Sequence, residues 1–301
     1  MRVLMIGDVV GSAGRAVLNA NLPMLRQRLK TDFVIVNGEN AAHGFGITGN
    51  ICDSFYQAGA DCITTGNHVF DQRDVVGQME RDDKILRPIN YPPDTPGKGF
   101  GFYKTDDGKR ILVANVMCRL FMELLDDPFR ALDELLKRYR LGRDADAIIL
   151  DVHGEATSEK QAIGHYVDGR ASIVVGTHTH VPTADTWVLP GGTAYQSDLG
   201  MTGDYDSVIG MKKDLSVQRF LTKAEKIRLE PATEDGTLCG CFVVLDDKTG
   251  LAKRIEPVRV GARLTDWNDY GSVYVFDPPS PTPQPTTPQP TTQVPTPSPT
   301  T

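Results

Sequence analysis

Long apolar runs are missing from this 301-residue sequence: none approaches the roughly 20 residues that a membrane-spanning helix needs. The opening run VLMIGDVV is too short for a secretory signal and is interrupted by Asp8. The expected compartment is therefore the cytoplasm, with no membrane partner. A basic excess is missing too. The net charge of −7 excludes broad binding along the backbone of an extended nucleic acid, while leaving room for a small phosphorylated ligand. Cysteine is scarce: the five residues Cys52, Cys62, Cys118, Cys239 and Cys241 form no CxxC pair. Cys239-Gly-Cys241 is too tight for a usual zinc pair, so all five are expected as buried or half-buried free thiols. Nucleotide-loop signatures are absent as well. Gly7, Gly11 and Gly14 follow a G-x-x-x-G-x-x-G spacing rather than G-x-G-x-x-G, and no Lys-Ser/Thr follows them.

What remains is an α/β pattern. RVLMI, FVIVN, CITT, RILVAN, AIILDV and ASIVVG are continuous apolar runs of the kind found in strands buried on both faces. RAVLNANLPMLRQRL, NICDSFYQAGA and DPFRALDELLKRYR lie between them and place apolar residues at helical spacing. Near Lys223 the texture changes, and KAEKIRLEP, TLCGCFVVLDD and AKRIEPVRV read as an antiparallel meander with TGL as a turn. One domain is expected over residues 1–264. Residues 265–301 lead into PPSPTPQPTTPQPTTQVPTPSPTT, which can build neither a core nor a ladder and reads as a disordered tail.

In open α/β sheets ligands gather beyond the carboxyl ends of the strands. Five of these ends carry Gly7-Asp8, Gly38-Glu39-Asn40, Gly66-Asn67-His68, His153-Gly154-Glu155 and Thr177-His178-Thr179-His180. Four of the six histidines fall in this set. Carboxylates and amide oxygens mixed with neutral imidazoles suit iron, manganese, zinc or cobalt. The donors are too many for one tetrahedral zinc but enough for two cations sharing a carboxylate, a known clamp for phosphate esters.

Taken singly, each residue has a plainer reading. Asp8 could cap the following helix, Glu39-Asn40 could form a turn, and His153 could be a satisfied core histidine. His178 and His180 could share one exposed strand face, and Asn67-His68 alone is weak. His43 and His165 lack such a context and read as surface or packing residues. Glu155 and Lys160 could be first-turn helix residues, with Thr157 or Ser158 as the cap. Arg119, Lys160 and Lys212 are candidate phosphate or base contacts, though each such residue is more often an ordinary surface charge.

The stretches GDVVGSAGR, NGENAAHGFGIT, TTGNHVFD, RPINYPPDTPGKG, DVHGEATSEK, GTHTHVPTAD and SDLGMTGDYDSVIG resemble the bacterial YmdB-type proteins. These are dinuclear metallophosphoesterases of the calcineurin-like superfamily. The resemblance runs in order from Met1 to about Leu264 and leaves out the Pro/Thr tail. It implies a metallophosphoesterase four-layer sandwich, two mixed β-sheets flanked by helices. It also implies hydrolysis of 2′,3′-cyclic nucleotides at the 2′ ester to give 3′-nucleotides. Asp8, Glu39, Asn40 and His180 would hold one metal. Glu39, Asn67, His153 and His178 would hold the other, with Glu39 bridging, a metal-bridging hydroxide as nucleophile and His68 as proton donor. Iron is the implied metal, manganese a frequent substitute, a cyclic nucleotide the small-molecule partner, and a homo-oligomer is compatible. The broader alternatives are a less specific metallophosphatase or phosphodiesterase, and a nucleotide-sensing regulator.

Several departures stand out. Val10 occupies the place of the histidine in the superfamily's Asp-x-His motif, which leaves Asn40 to fill the gap. Cys118 stands where glycine is expected and Gly154 where alanine is common. Asp204 replaces a frequent proline. Cys118 and Asp204 are expected to tune the substrate pocket.

Overall fold

The computed structural model describes residues 1–222, 227–261, 263 and 264. The expected Pro/Thr tail lies outside them. In chain order the elements begin β1 (Arg2–Ile6), α1 (Gly11–Leu29), β2 (Phe33–Asn37), α2 (Gly49–Ala58), β3 (Cys62–Thr64), α3 (Val75–Met79) and β4 (Ile85–Leu86). They continue with β5 (Phe100–Lys104), β6 (Arg110–Met117), α4 (Pro128–Arg138), β7 (Ala147–His153), α5 (Thr157–Val167) and β8 (Ile173–Thr177). Last come β9 (Trp187–Val188), β10 (Ala194–Gln196), β11 (Gly203–Asp204), α6 (Lys213–Leu221), β12 (Gly236–Leu245) and β13 (Ala252–Gly261).

The strands form two mixed sheets. One has the order β11-β12-β1-β2-β3-β4, with β13 along the outer edge of β12; the other has the order β5-β6-β7-β8-β10-β9. Strands β1 to β4 are parallel, as are β6, β7, β8 and β10. Alternation along each strand divides its side chains between two cores. Val3, Met5, Ile35, Ile111, Val113 and Ile149 meet between the sheets. Leu4, Ile6, Val34 and Val36 face Leu18, Leu22 and Phe55 of α1 and α2. Leu112, Ala114, Ile148 and Leu150 face Leu132, Leu136 and Ile163 of α4 and α5. The result is a helix–sheet–sheet–helix sandwich, and it explains why the strand runs read as continuously apolar.

Two local expectations are corrected. Of KAEKIRLEP, residues 223–226 lie outside the described set, and among the described residues Ile227–Glu230 carry no regular structure, so the expected strand is not formed there. Pro231 meets Met211 in one isolated bridge, made by the Lys212 N–H to the Glu230 carbonyl and the Ala232 N–H to the Gly210 carbonyl, and the pairing stops where helix α6 begins at Lys213. Helix α5 starts at Thr157 with Ala156 as its cap position and no side-chain cap bond, so neither Thr157 nor Ser158 caps it.

Candidate metal centre

The parallel strands of both sheets end at one place. Strand β1 leads into Asp8, β2 into Glu39 and Asn40, and β3 into Asn67 and His68; His153 ends β7, and His178 and His180 follow β8. Asp8, Glu39 and His153 are at most 1% exposed. Two sets of ligating atoms converge: Glu39 with His153 and His178, and Asp8 with Glu39 and His180, each within 4.8 Å. Glu39 belongs to both.

The hydrogen bonds around the first set determine which atoms face inward. The Thr177 hydroxyl donates to Asp151 Oδ1 at 2.7 Å, so its oxygen accepts from His153 Nδ1–H at 2.9 Å. Asp151 Oδ2 accepts in turn from Asn37 Nδ2 and the Thr64 hydroxyl. His153 Nε2 therefore turns its lone pair into the site. His178 Nε2 lies 3.3 Å from Glu155 Oε2, and its Nδ1 faces His153 Nε2 at 3.1 Å. Glu39 Oε2 stands 3.2 Å and Asn67 Oδ1 3.0 Å from the same nitrogen. Four acceptor atoms thus crowd together, and one shared proton cannot satisfy them all; a cation can.

The second set shows the same pattern. His180 Nδ1–H donates to the Ile209 carbonyl at 2.7 Å, so Nε2 faces Asn40 Oδ1 at 3.2 Å. Asn40 Nδ2 donates outward to the Gly44 carbonyl, which aims its oxygen inward. Asp8 Oδ2 accepts from the His178 N–H, while the buried Oδ1 has no hydrogen-bond partner. An orphaned buried carboxylate oxygen beside an amide oxygen and an imidazole lone pair fits a cation. Asp8 does not cap α1, whose cap position is Val10. Val10 is buried and packs near Gly203 and Gly210.

Electrostatics follow from these contacts. Burial pushes the Asp8 carboxyl up to about 7, against the pull of His180 and His153. Burial opposes ionisation of Glu39 as well, but His153 overrides it and draws the carboxyl down to about 2. The converse holds at His153, where Glu39 outweighs burial and lifts the imidazolium to about 9. Burial and His153 press His178 down to about 3, which keeps it neutral. Gly66 makes the crowding feasible: a Cβ there would lie 2.3 Å from Glu39 Oε2 and 2.3 Å from His153 Nε2.

His68 borders the site. Its backbone N–H donates to Glu39 Oε2 at 3.2 Å, and its Nδ1 lies 2.8 Å from Asp71 Oδ2. Phe45 meets the ring edge-on at 5.0 Å. A cleft of about 1480 Å³ opens alongside, lined by His43, Phe45, Asp71, Lys212, Arg219 and Arg228 among others. Sequence reading missed Asp71, Asp151, Thr177 and Asn37 as supporting residues. Asp71 closes the TTGNHVFD stretch, Asn37 and Thr177 end β2 and β8, and Asp151 interrupts the apolar run of β7.

The cationic candidates separate. Lys212 lines the cleft and pairs with Glu230 at 2.7 Å. Arg119 is exposed, and its backbone N–H donates to Glu159. Lys160 is corrected as a substrate contact: it is 1% exposed, and its ammonium donates to Asp198 Oδ2 and the Thr177 carbonyl. The expected pocket roles of Cys118 and Asp204 are corrected too. Cys118 is fully buried, and a Cβ on Gly154 would lie 2.3 Å from its Cβ, so the two positions are complementary in size. The Asp204 carboxylate accepts from the backbone N–H groups of Asp206 and Glu234. His43 and His165 are exposed, and all five cysteines are buried and free.

The comparisons with known proteins agree with this architecture. The chain is 46% identical over 260 residues to the 2′,3′-cyclic-nucleotide 2′-phosphodiesterase of Bacillus subtilis (strain 168), covering 86% of this chain and 97% of that protein. A solved hypothetical protein from Thermus thermophilus is similar at a TM-score of 0.81 and 44% identity, over 87% of this chain and 99% of that one. A solved phosphatase from Mycoplasma pneumoniae is similar at a TM-score of 0.80 and 32% identity, over 87% of this chain and 93% of that one. The YmdB-like protein family model matches residues 4–258, and the chain belongs to that family.

Proposed function

We propose that this protein is a dinuclear-metal phosphodiesterase that opens 2′,3′-cyclic nucleotides at the 2′ ester and releases 3′-nucleotides. The observation that carries the reading is the pair of proton-poor acceptor clusters sharing Glu39. Asp8, Glu39, Asn40 and His180 hold one metal; Glu39, Asn67, His153 and His178 hold the other. When bound, the metals supply Lewis-acid polarisation of the phosphate and an activated water.

The chain's own residues supply the rest. His68 is the proton donor to the departing 2′ oxygen. Asp71 accepts from its Nδ1–H and so leaves Nε2 to carry the transferable proton. The cleft beside His68 admits the nucleoside, with Lys212 at its wall and Phe45 offering an aromatic edge. Iron, with manganese as substitute, suits the mixed oxygen and imidazole donor set. A cytoplasmic setting accords with five buried, unpaired thiols. The protein is compatible with a homo-oligomer.

The test pairs metal analysis of the purified protein with product identification from 2′,3′-cAMP. Two metals per chain and a 3′-nucleotide product are expected; a 2′-nucleotide, or full turnover by metal-free protein, would overturn the assignment. Equal turnover of 2′,3′-cAMP, 3′,5′-cAMP and a 5′-nucleotide would favour the broader phosphatase reading. His68→Ala should keep both metals and lose about 10²–10⁴-fold in rate.

A further inference from the structure

We propose that Lys160 and Asp198 form a buried positioning unit that sets the His178–His180 loop in the geometry the metal centre needs. The proposal rests on the dinuclear reading above.

His178 and His180 both adopt left-handed backbone, at φ 100° and 65°. That conformation is unfavourable for residues with a Cβ and persists only where the surroundings over-determine it. Between them, the Thr179 N–H donates to Asp198 Oδ2 at 3.0 Å. Asp198 Oδ1 accepts from the Gly200 N–H at 2.8 Å, and Lys160 Nζ donates to Oδ2 at 2.9 Å. The same ammonium reaches the Thr177 carbonyl at 3.2 Å. Thr177 is the residue whose hydroxyl receives His153 Nδ1–H. One buried cation thus ties the end of β8, the support of His153 and the loop carrying two further imidazoles.

Stability alone gives little reason to keep such a pair. Lys160 and Asp198 are each 1% exposed, and a buried ion pair is often no more stabilising than apolar residues of similar volume. Its value lies in fixing one arrangement. From that arrangement His178 Nδ1 faces one acceptor cluster and His180 Nε2 faces the other.

The test uses metal-stripped full-length protein, Mn²⁺ as the probe, and three variants: Asp198→Asn, Lys160→Met and the double variant. Asp198→Asn should weaken Mn²⁺ binding by about 10- to 100-fold and lower the melting temperature, because it strands the ammonium of Lys160. The double variant buries no charge. It should recover melting temperature without recovering Mn²⁺ affinity, since an amide cannot accept from both Thr179 and Gly200. Should Asp198→Asn fail to fold, the double variant carries the test alone. Mn²⁺ affinity that returns to the parent value together with stability would overturn the proposal and leave the pair a packing element. If the stripped parent itself takes up no Mn²⁺, the dinuclear reading fails instead.

Discussion

At the scale of single residues, the centre is proton-hungry when it holds no metal. Asp8, at about 7, and His153, at about 9, keep protons near neutrality. Both lie above their unfolded values of 3.8 and 6.5. The contribution of Asp8 protonation to stability is therefore lost as pH rises from about 4 to 7, and that of His153 between about 6.5 and 9. A metal displaces these protons and removes the loss. The gap in melting temperature between loaded and stripped protein should widen from pH 6 to pH 9, and Mn²⁺ affinity should rise over the same range. Calorimetric scans and titrations across that range check this; a flat profile contradicts it. Gly66→Ala should abolish Mn²⁺ binding and activity together, because the added carbon enters the space between Glu39 and His153. At the complementary pair, Gly154→Ala alone should cost about 1–3 kcal/mol by overpacking. Adding Cys118→Gly should restore most of it, as denaturant midpoints would show.

At the scale of elements, legibility followed the physics of the runs. Strands β1, β2, β6, β7 and β8 were readable because burial on both faces leaves a predominantly apolar stretch, with ligand residues at or just beyond the carboxyl ends of β1, β2, β7 and β8. The donors could be located for the same reason. Short strands such as β9 and β11, two residues each, carry no periodic signal. Ile227–Glu230 misled because alternating Ile and Leu suggest a strand, whereas pairing is confined to one bridge at Pro231. Lys160 misled because sequence cannot show that a helix turns a lysine inward to meet an aspartate 38 residues away. Helix α4 offers a test away from the centre. Asp127 caps it by accepting from the Phe129 and Arg130 N–H groups, with Pro128 opening the first turn. Asp127→Ala should lower stability by about 1 kcal/mol and leave turnover of 2′,3′-cAMP unchanged.

At the scale of the whole molecule, each acceptor cluster draws on both sheets: Asp8 and Glu39 come from one, while His153, His178 and His180 come from the other. A ligand bound there acts across the seam of the sandwich. Metal present at a thousand times its dissociation constant would add about 4 kcal/mol to stability. Protease susceptibility of the native protein should therefore rise sharply on chelation and fall again on adding Mn²⁺. The wider consequence concerns how long the protein lasts. A cell short of metal would not simply hold a stock of idle enzyme; it would clear the empty molecules faster than the filled ones. The amount of protein present would then follow the metal supply with no regulator to adjust it.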